Sequence, residues 1–345
     1  MTNDDRQIDI SAEPAGLKPV EAFALMREDA VRCNLFFSAV IVLTLVFATG
    51  TFIRNRVWES SISLWNDIAE KNWRNAAFDP KTGLEIPRLD LGRIYNNVGL
   101  ALYTKGVELQ KARATLALIV RDVQKIESEI SRPPEAQAAF DRLTQGLVAQ
   151  DELVKELSRE LIAHTPSRFR PACQQAGVSE GKYVWDAFLP AELCFQTALY
   201  HRSTYYKAHL NLGLTNKMRS FTFPRGSQER QACLLKAETS FRLAHTFIPI
   251  YEKALWYHAS VLELLGEYGE AIDMAERAIE CHLPEEGTGA LLAEMDILSS
   301  AALSIGDLPK ARRWAEKAAL LSGNDPHFQS RLTEISEKEK KAAER

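Results

Sequence analysis

The sequence lacks the features that mark several common classes of protein. Its 17 glycines and 14 prolines among 345 residues are too few for a low-complexity chain or a turn-rich all-β fold. Five cysteines, with no CxxC motif, are too sparse for a disulfide-dense scaffold. The 42 basic residues do not outnumber the 46 acidic ones, so we expect no nucleic-acid partner. The hydrophobic fraction of 46% is nevertheless ample for a core.

Motifs for catalysis and cofactor binding are also missing. The seven histidines form no HExxH and no other metal-ligand spacing, and there is no GxSxG motif. The segment GVSEGK has too few residues between its glycines for a phosphate-binding loop, and no Ser or Thr follows Lys182. A Cys–His pair that meets only in space stays open. We therefore predict a protein that is not an enzyme and has no catalytic residues, cofactor or metal.

One strongly apolar run lies near the start of the chain. Asn34–Ile53 holds twenty residues without a charge, bounded by Arg32 and Arg54. Twenty helical residues span roughly 30 Å, the thickness of a hydrocarbon core. A cleaved signal peptide fits poorly because residues 1–33 before the run are acid-rich. We predict an N-terminal tail (1–33) and an uncleaved transmembrane helix (34–53) in contact with the lipid bilayer; a buried soluble helix is the alternative. Nearby basic residues are equal in number on both sides, so charge does not orient the span.

The rest of the chain has a helical pattern. Residues 105–165 are rich in helix-forming residues and carry an amphipathic apolar stripe that Pro133 and Pro134 interrupt. This pattern predicts a long antiparallel helical hairpin, which could pack on itself or offer its unused face to a partner. Residues 166–190 are the least regular stretch and predict a loop-rich insert.

An internal repeat is the most informative signal. Gly266 and Gly306 follow Ala259 and Ser299 by seven residues, and each glycine is followed five residues later by an alanine. Further alanines come four and seven residues after that one. Two earlier segments repeat parts of the pattern. The repeated small and aromatic positions are Gly213, Ala271, Ala275, Ala278, Ala311, Ala315, Ala318, Ala237, Phe241, Ala244, Ala191, Phe195 and Ala198.

This pattern resembles the tetratricopeptide repeat, a helix–turn–helix unit of about 34 residues. The resemblance implies an all-α fold in which a tetratricopeptide-type α-solenoid follows the single transmembrane helix and contains the inserted hairpin. Small residues would lie where paired helices cross, and the glycine would end the first helix. We place repeats in residues 54–104 and 191–325. The polar residues 326–345 would form the capping helix of the solenoid.

The segment after the apolar run resembles a second bacterial arrangement. In large multi-pass glycosyltransferase-like membrane proteins, the last transmembrane helix runs directly into a tetratricopeptide tail. The matching residues here are Arg54, Asn55, Trp58, Leu64, Trp65, Asp67, Tyr95, Asn96, Asn97 and Gly99. This chain has one span where those proteins have many, so glycosyl transfer is not implied.

The second resemblance implies a topology. In that family the repeats lie outside the cytoplasm, so we expect a single-pass protein of the inner membrane with its repeats on the periplasmic side. Four cysteines of the soluble part would permit up to two disulfides there, and buried free thiols are the alternative. These cysteines are Cys173, Cys194, Cys233 and Cys281.

A solenoid of helix pairs forms a groove lined by the first helix of each unit. Six residues before the small residue, three units carry a cation: Arg93, Lys207 and Lys253. Two residues before it, they carry Asn97, Asn211 and Tyr257. These six residues predict a partner-binding strip for an acidic peptide or a terminal carboxylate. The alternative is that the asparagines belong to the general repeat pattern and the cations are solvated.

The sequence therefore predicts a membrane-anchored scaffold. Its repeats would bind other protein subunits, membrane or envelope proteins, within a cell-envelope complex. The alternative function is an accessory factor for envelope glycan or polymer assembly that acts beside a separate membrane glycosyltransferase.

Overall fold

The computed structural model describes residues 61–74, 77–82, 85–127, 134–176, 178–179, 182–183, 186–282 and 287–344. These residues are nearly all helical, which confirms the all-α prediction; two short strands, β1 (Val178–Ser179) and β2 (Lys182–Tyr183), pair antiparallel. The predicted tail and transmembrane helix lie outside the described residues. The helices are α1 (Ser61–Arg74), α2 (Leu89–Glu127), α3 (Pro134–His164), α4 (Arg170–Ala176), α5 (Leu189–His201), α6 (Tyr206–Ser220), α7 (Gln228–Phe247), α8 (Glu252–Leu265), α9 (Tyr268–Glu280), α10 (Thr288–Ile305), α11 (Leu308–Leu321) and α12 (Pro326–Ala343).

The helices pack as successive pairs, as in tetratricopeptide repeats. The paired helices are α2 with α5, α6 with α7, α8 with α9 and α10 with α11, and α12 packs on the last pair. The glycines predicted to end first helices do so: Gly266 and Gly306 have φ values of 87° and 83°. Glu267 N–H donates to Leu262 O, and Asp307 N–H to Ala302 O, each at 2.9 Å. Both first helices therefore end in the same left-handed cap.

Glycines mark where the first two pairs cross. A Cβ atom on Gly99 would lie 2.7 Å from the ring of Phe195, and one on Gly213 would lie 2.5 Å from the ring of Phe241. Both distances are shorter than the separation of two carbon atoms in contact. Only glycine, which has no Cβ atom, therefore lets the helices approach this closely. The equivalent contacts show that α2 and α5 form one repeat, although their crossing residues are far apart in sequence. The long insert therefore lies inside the first repeat.

The insert extends the first helix of this repeat. Helix α2 runs from residue 89 to 127 without a break, so the boundary that we place between residues 104 and 105 lies inside one helix. Gln150 Nε2 donates to Ala112 O at 2.9 Å, and Lys105 Nζ lies 2.9 Å from Glu160 Oε2. The residue numbers fall on α3 as they rise on α2, so the hairpin is antiparallel and packs on itself.

A buried ionic cluster holds two connecting segments against the first repeat. Arg168 Nη1 lies 3.0 Å from Glu85 Oε2 and donates to the Tyr95 hydroxyl at 2.9 Å. Glu85 and Tyr95 are both buried, and His201 Nε2 lies 3.5 Å from Glu85 Oε1. The loops before α2 and after α3 are thereby fixed, because breaking a buried ion pair leaves an uncompensated charge.

One described helix, α10, is long and apolar enough to cross a membrane, with a mean hydropathy of 1.3. Leu298 and Ala301 on this helix are fully buried, and the helix packs between α9 and α11. Its composition is therefore explained by the core of the repeats. Beyond it, α12 contributes the buried Phe328 and Ile335.

The four cysteines of the described region are free thiols and form no disulfide with one another. Burial raises the pKa of the Cys173 thiol to about 12. Burial raises the pKa of Cys194 well above its usual value, and the neighbouring Cys173 adds to the effect. Such thiols are inert packing groups at neutral pH.

Candidate protein-binding groove

The three predicted cations occupy equivalent exposed places. Lys207 and Lys253 are the second residues of α6 and α8, Arg93 is the fifth residue of α2, and all three are exposed. Cations at Lys207 and Lys253 are close to helix N-termini, where the helix dipole disfavours them by roughly 0.3–1 kcal/mol. The positive side chains and positive helix ends together make this edge attractive to acidic groups.

The predicted amides lie one turn further along the same face and are half-buried. Asn211 Nδ2 donates to Asn96 Oδ1 at 3.0 Å, and Asn96 Nδ2 donates to Asn97 Oδ1 at 3.4 Å. The structure therefore brings Asn97 and Asn211 together through a third asparagine. These amides join the first helices of the first two repeats, which is a packing role beside any binding role.

Tyr257, the last residue of the predicted strip, contacts the half-buried ammonium of Lys217. Lys217 Nζ on α6 lies 5.6 Å from the centre of the Tyr257 ring and donates to Ser260 Oγ on α8 at 2.6 Å. Burial lowers the pKa of Lys217 to about 8, although Glu263 opposes the shift. At pH 7 the amine is still about nine-tenths protonated, so it acts as a hydrogen-bond donor and a cation.

Tyr103 on α2 faces the same region. Burial raises its pKa to about 12, and the nearby Tyr257 adds to the shift. Because Tyr257 belongs to the third repeat and Tyr103 to the first, the first helices of alternate repeats approach on this face. We call the surface formed by Tyr103, Lys217, Tyr257, Ser260 and Glu263 the groove centre.

Two carboxylates, those of Glu263 and Asp296, lie toward the last repeats. Burial raises the pKa of Glu263, and a hydrogen bond from Ser300 opposes that shift. Asp296 lies 2.9 Å from His327 Nε2 and 3.4 Å from Arg331 Nη2. His327 and Arg331 offset the charge of Asp296, so this end of the face carries charges of both signs.

The sequence contains a signal for the groove centre. Tyr103, Lys217 and Glu263 each follow the small residue of their repeat by four positions, after Gly99, Gly213 and Ala259. Equal offsets place them on one face. Their burial depends on the neighbouring repeat, which no offset within one repeat reveals.

Behind the groove, a histidine pair joins α7 to α8. His245 Nε2 lies 3.0 Å from His258 Nδ1, and His258 Nε2 lies 3.4 Å from Glu238 Oε1. Burial lowers the pKa of His245 to about 4, and His258, Arg277 and Arg242 lower it further. Burial also lowers the pKa of His258, although Glu238 opposes the shift. Both imidazoles are therefore neutral in the folded protein at pH 7.

We expect this pair to destabilise the protein in mild acid. The pKa of His245 is lower in the folded than in the unfolded chain, so its contribution to stability is complete above pH 6.5 and is lost as the pH falls toward 4. Between pH 7 and 4.5, wild type should lose more unfolding free energy than His245→Gln, because only wild type must protonate this imidazole. Denaturant unfolding across pH measures this difference. The exposed His327→Gln is the control, and equal losses in wild type and His245→Gln would contradict the assignment.

Comparisons with known proteins find solved structures of low similarity. No protein family and no curated protein matches the sequence. Two solved structures are similar: a tetratricopeptide repeat protein of Thermus thermophilus and the C-terminal part of a tetratricopeptide repeat-containing protein of Cytophaga hutchinsonii. The first has 18% identity and a TM-score of 0.35, covering 71% of this chain and 98% of its own. The second has 15% identity and a TM-score of 0.35, and the match covers 83% of this chain and 98% of the other chain. The repeat assignment rests on the helix pairs themselves.

Proposed function

We propose that this protein is a non-enzymatic scaffold whose groove centre binds an extended segment of a partner protein. The observation that carries the proposal is the half-buried ammonium of Lys217 beside Tyr257, Ser260 and the half-buried carboxylate of Glu263. Charges held out of water cost stability in the free protein. They are already oriented and partly desolvated, so a partner that supplies matching polar groups loses less on binding.

The chemistry of the groove favours a partner segment with an acidic group. The exposed cations Arg93, Lys207 and Lys253 would attract it to one edge, and Lys217 would bind its carboxylate inside the groove. A charge-assisted hydrogen bond of this kind contributes about 1.5–3 kcal/mol. A basic group on the same segment would lie toward Glu263.

The proposal includes a membrane anchor. The uncharged run 34–53 and the resemblance of the segment that follows it support a single-pass inner-membrane protein with periplasmic repeats. In that setting the groove would hold other subunits of an envelope complex. The accessory role beside a glycan-assembling transferase uses the same groove with a different partner. Co-purification in mild detergent separates the two: a stoichiometric complex supports the scaffold, and a transferase captured only after crosslinking supports the accessory role.

Site-specific photocrosslinking tests the groove itself. A photoreactive amino acid at Leu100 would lie on the groove face, because Leu100 has the same offset in its repeat as Ser260 and Ser300. Leu235, which is 51% exposed and lines a separate cavity of about 470 Å³ between α5, α6 and α7, is the matched control. In cells, the probe at Leu100 should capture a protein that the probe at Leu235 does not. Capture from Leu235 alone would place the binding surface elsewhere.

A further inference from the structure

Three side chains capable of binding a metal meet where α8, α9 and α10 converge. Glu252 is the first residue of α8, His282 follows the end of α9, and Glu294 lies in α10. One ligand atom from each of the three lies within 4.8 Å of the others. His282 Nδ1 is 2.8 Å from Glu252 Oε1. The three residues come from distant parts of the sequence, which is why no motif spacing reveals them.

Burial makes this cluster unusual. Glu252 is 6% exposed and Glu294 is fully buried. Two carboxylates close together and out of water repel each other and lose their hydration, so a cation between them would relieve both costs. The second oxygen of Glu252, Oε2, is buried and accepts no hydrogen bond from the described residues. It is therefore available as a ligand atom while Oε1 contacts the imidazole.

We propose that Glu252, His282 and Glu294 bind a divalent transition-metal ion of the Zn²⁺ or Co²⁺ type. One imidazole nitrogen with two carboxylates suits these borderline cations, whereas Ca²⁺ and Mg²⁺ prefer oxygen ligands alone. Ligand atoms about 2.0–2.2 Å from one Zn²⁺ lie about 3–4 Å from each other, so small side-chain rotations suffice to close the site. Three protein ligands leave a fourth position for water.

The position of the site indicates a structural role. Glu252 and Glu294 belong to the first helices of the third and fourth repeats, and His282 belongs to the connection between these repeats. A metal bound there would link the two repeats directly. It would bind the folded chain far better than the unfolded chain, and would therefore raise the melting temperature.

The test uses tag-free full-length protein in detergent, so that no affinity tag binds metal. Titration with Zn²⁺ by calorimetry should show one ion per chain, and Co²⁺ should give the visible absorption of a tetrahedral site. Excess Zn²⁺ should raise the melting temperature by several degrees. His282→Ala and Glu294→Gln should each weaken Zn²⁺ binding by at least tenfold.

The matched control is His327→Ala. His327 makes a comparable contact with a carboxylate, 2.9 Å from Asp296, but its side chain is 55% exposed. This variant should bind Zn²⁺ like wild type. If Glu294→Gln fails to fold, the half-buried His282→Ala decides the question. Wild-type protein that binds no Zn²⁺, or binding with equal affinity in wild type and His282→Ala, would overturn the proposal.

Discussion

Gly213→Ala is expected to lower the free energy of unfolding by about 2–3 kcal/mol, in the upper part of the range of about 1–3 kcal/mol that overpacked cores lose. The added Cβ would lie 2.5 Å from the Phe241 ring. Phe241 is fully buried and stacks on Tyr257 with ring centres 5.7 Å apart, so the ring has little room to move. Denaturant unfolding followed by circular dichroism measures the loss. The melting temperature should fall by about 4–12 °C.

A glycine elsewhere in the chain provides the control. Gly146 lies in α3 with no atom within 4 Å of the position of an added Cβ. Gly146→Ala should raise the free energy of unfolding by about 0.5–1 kcal/mol, because alanine favours helix and glycine does not. Combining Gly213→Ala with Phe241→Leu should cost less than the sum of the two separate changes. A Gly213→Ala variant as stable as Gly146→Ala would contradict the close helix crossing.

Lys217→Met is expected to stabilise the protein by about 1–3 kcal/mol while removing the ammonium that we propose binds the partner. Burial lowers the pKa of this ammonium to about 8, which means that the folded structure disfavours its charge. Methionine fills similar space without a charge. The lost hydrogen bond to Ser260 and the lost contact with the Tyr257 ring offset part of the gain. Chemical unfolding at pH 7 measures the difference.

The pH dependence distinguishes desolvation from a general effect of the substitution. Because the folded pKa of Lys217 is depressed, wild type gains stability as the pH rises from about 8 to 10.5. The advantage of Lys217→Met should therefore shrink over that interval. Lys111→Met, at an exposed position of α2, should change stability little at any pH. An unstable Lys217→Met variant would show that the ammonium supports the fold.

The repeats could be predicted because their signals are local. Gly266 and Gly306 mark helix ends by their conformation, and the alanines mark helix contacts by their spacing. The partner of α2 could not be predicted in this way. An insert separates the two helices of the first repeat, and contacts in the folded structure, such as that between Gly99 and Phe195, identify them as a pair.

The groove could be predicted only in part. The register of the first helices places Lys207 and Lys253 at one equivalent position, and Asn211 and Tyr257 at another. Lys217 was missed, because its burial depends on Tyr257 and Ser260 of the next repeat. The cluster of Glu252, His282 and Glu294 could not be predicted for the same reason. Contacts between repeats depend on the superhelix, whereas sequence spacing describes one helix at a time.

The most direct test of the proposed function is the affinity of the protein captured from Leu100, measured with wild type, Lys217→Met and Lys207→Ala/Lys253→Ala. Loss of one charge-assisted hydrogen bond should weaken binding by roughly ten- to a hundredfold, so Lys217→Met should show that loss although it folds more stably. The double variant should also bind more weakly, and Lys111→Met should bind like wild type. Equal affinity for wild type and Lys217→Met would show that the partner binds outside the groove centre.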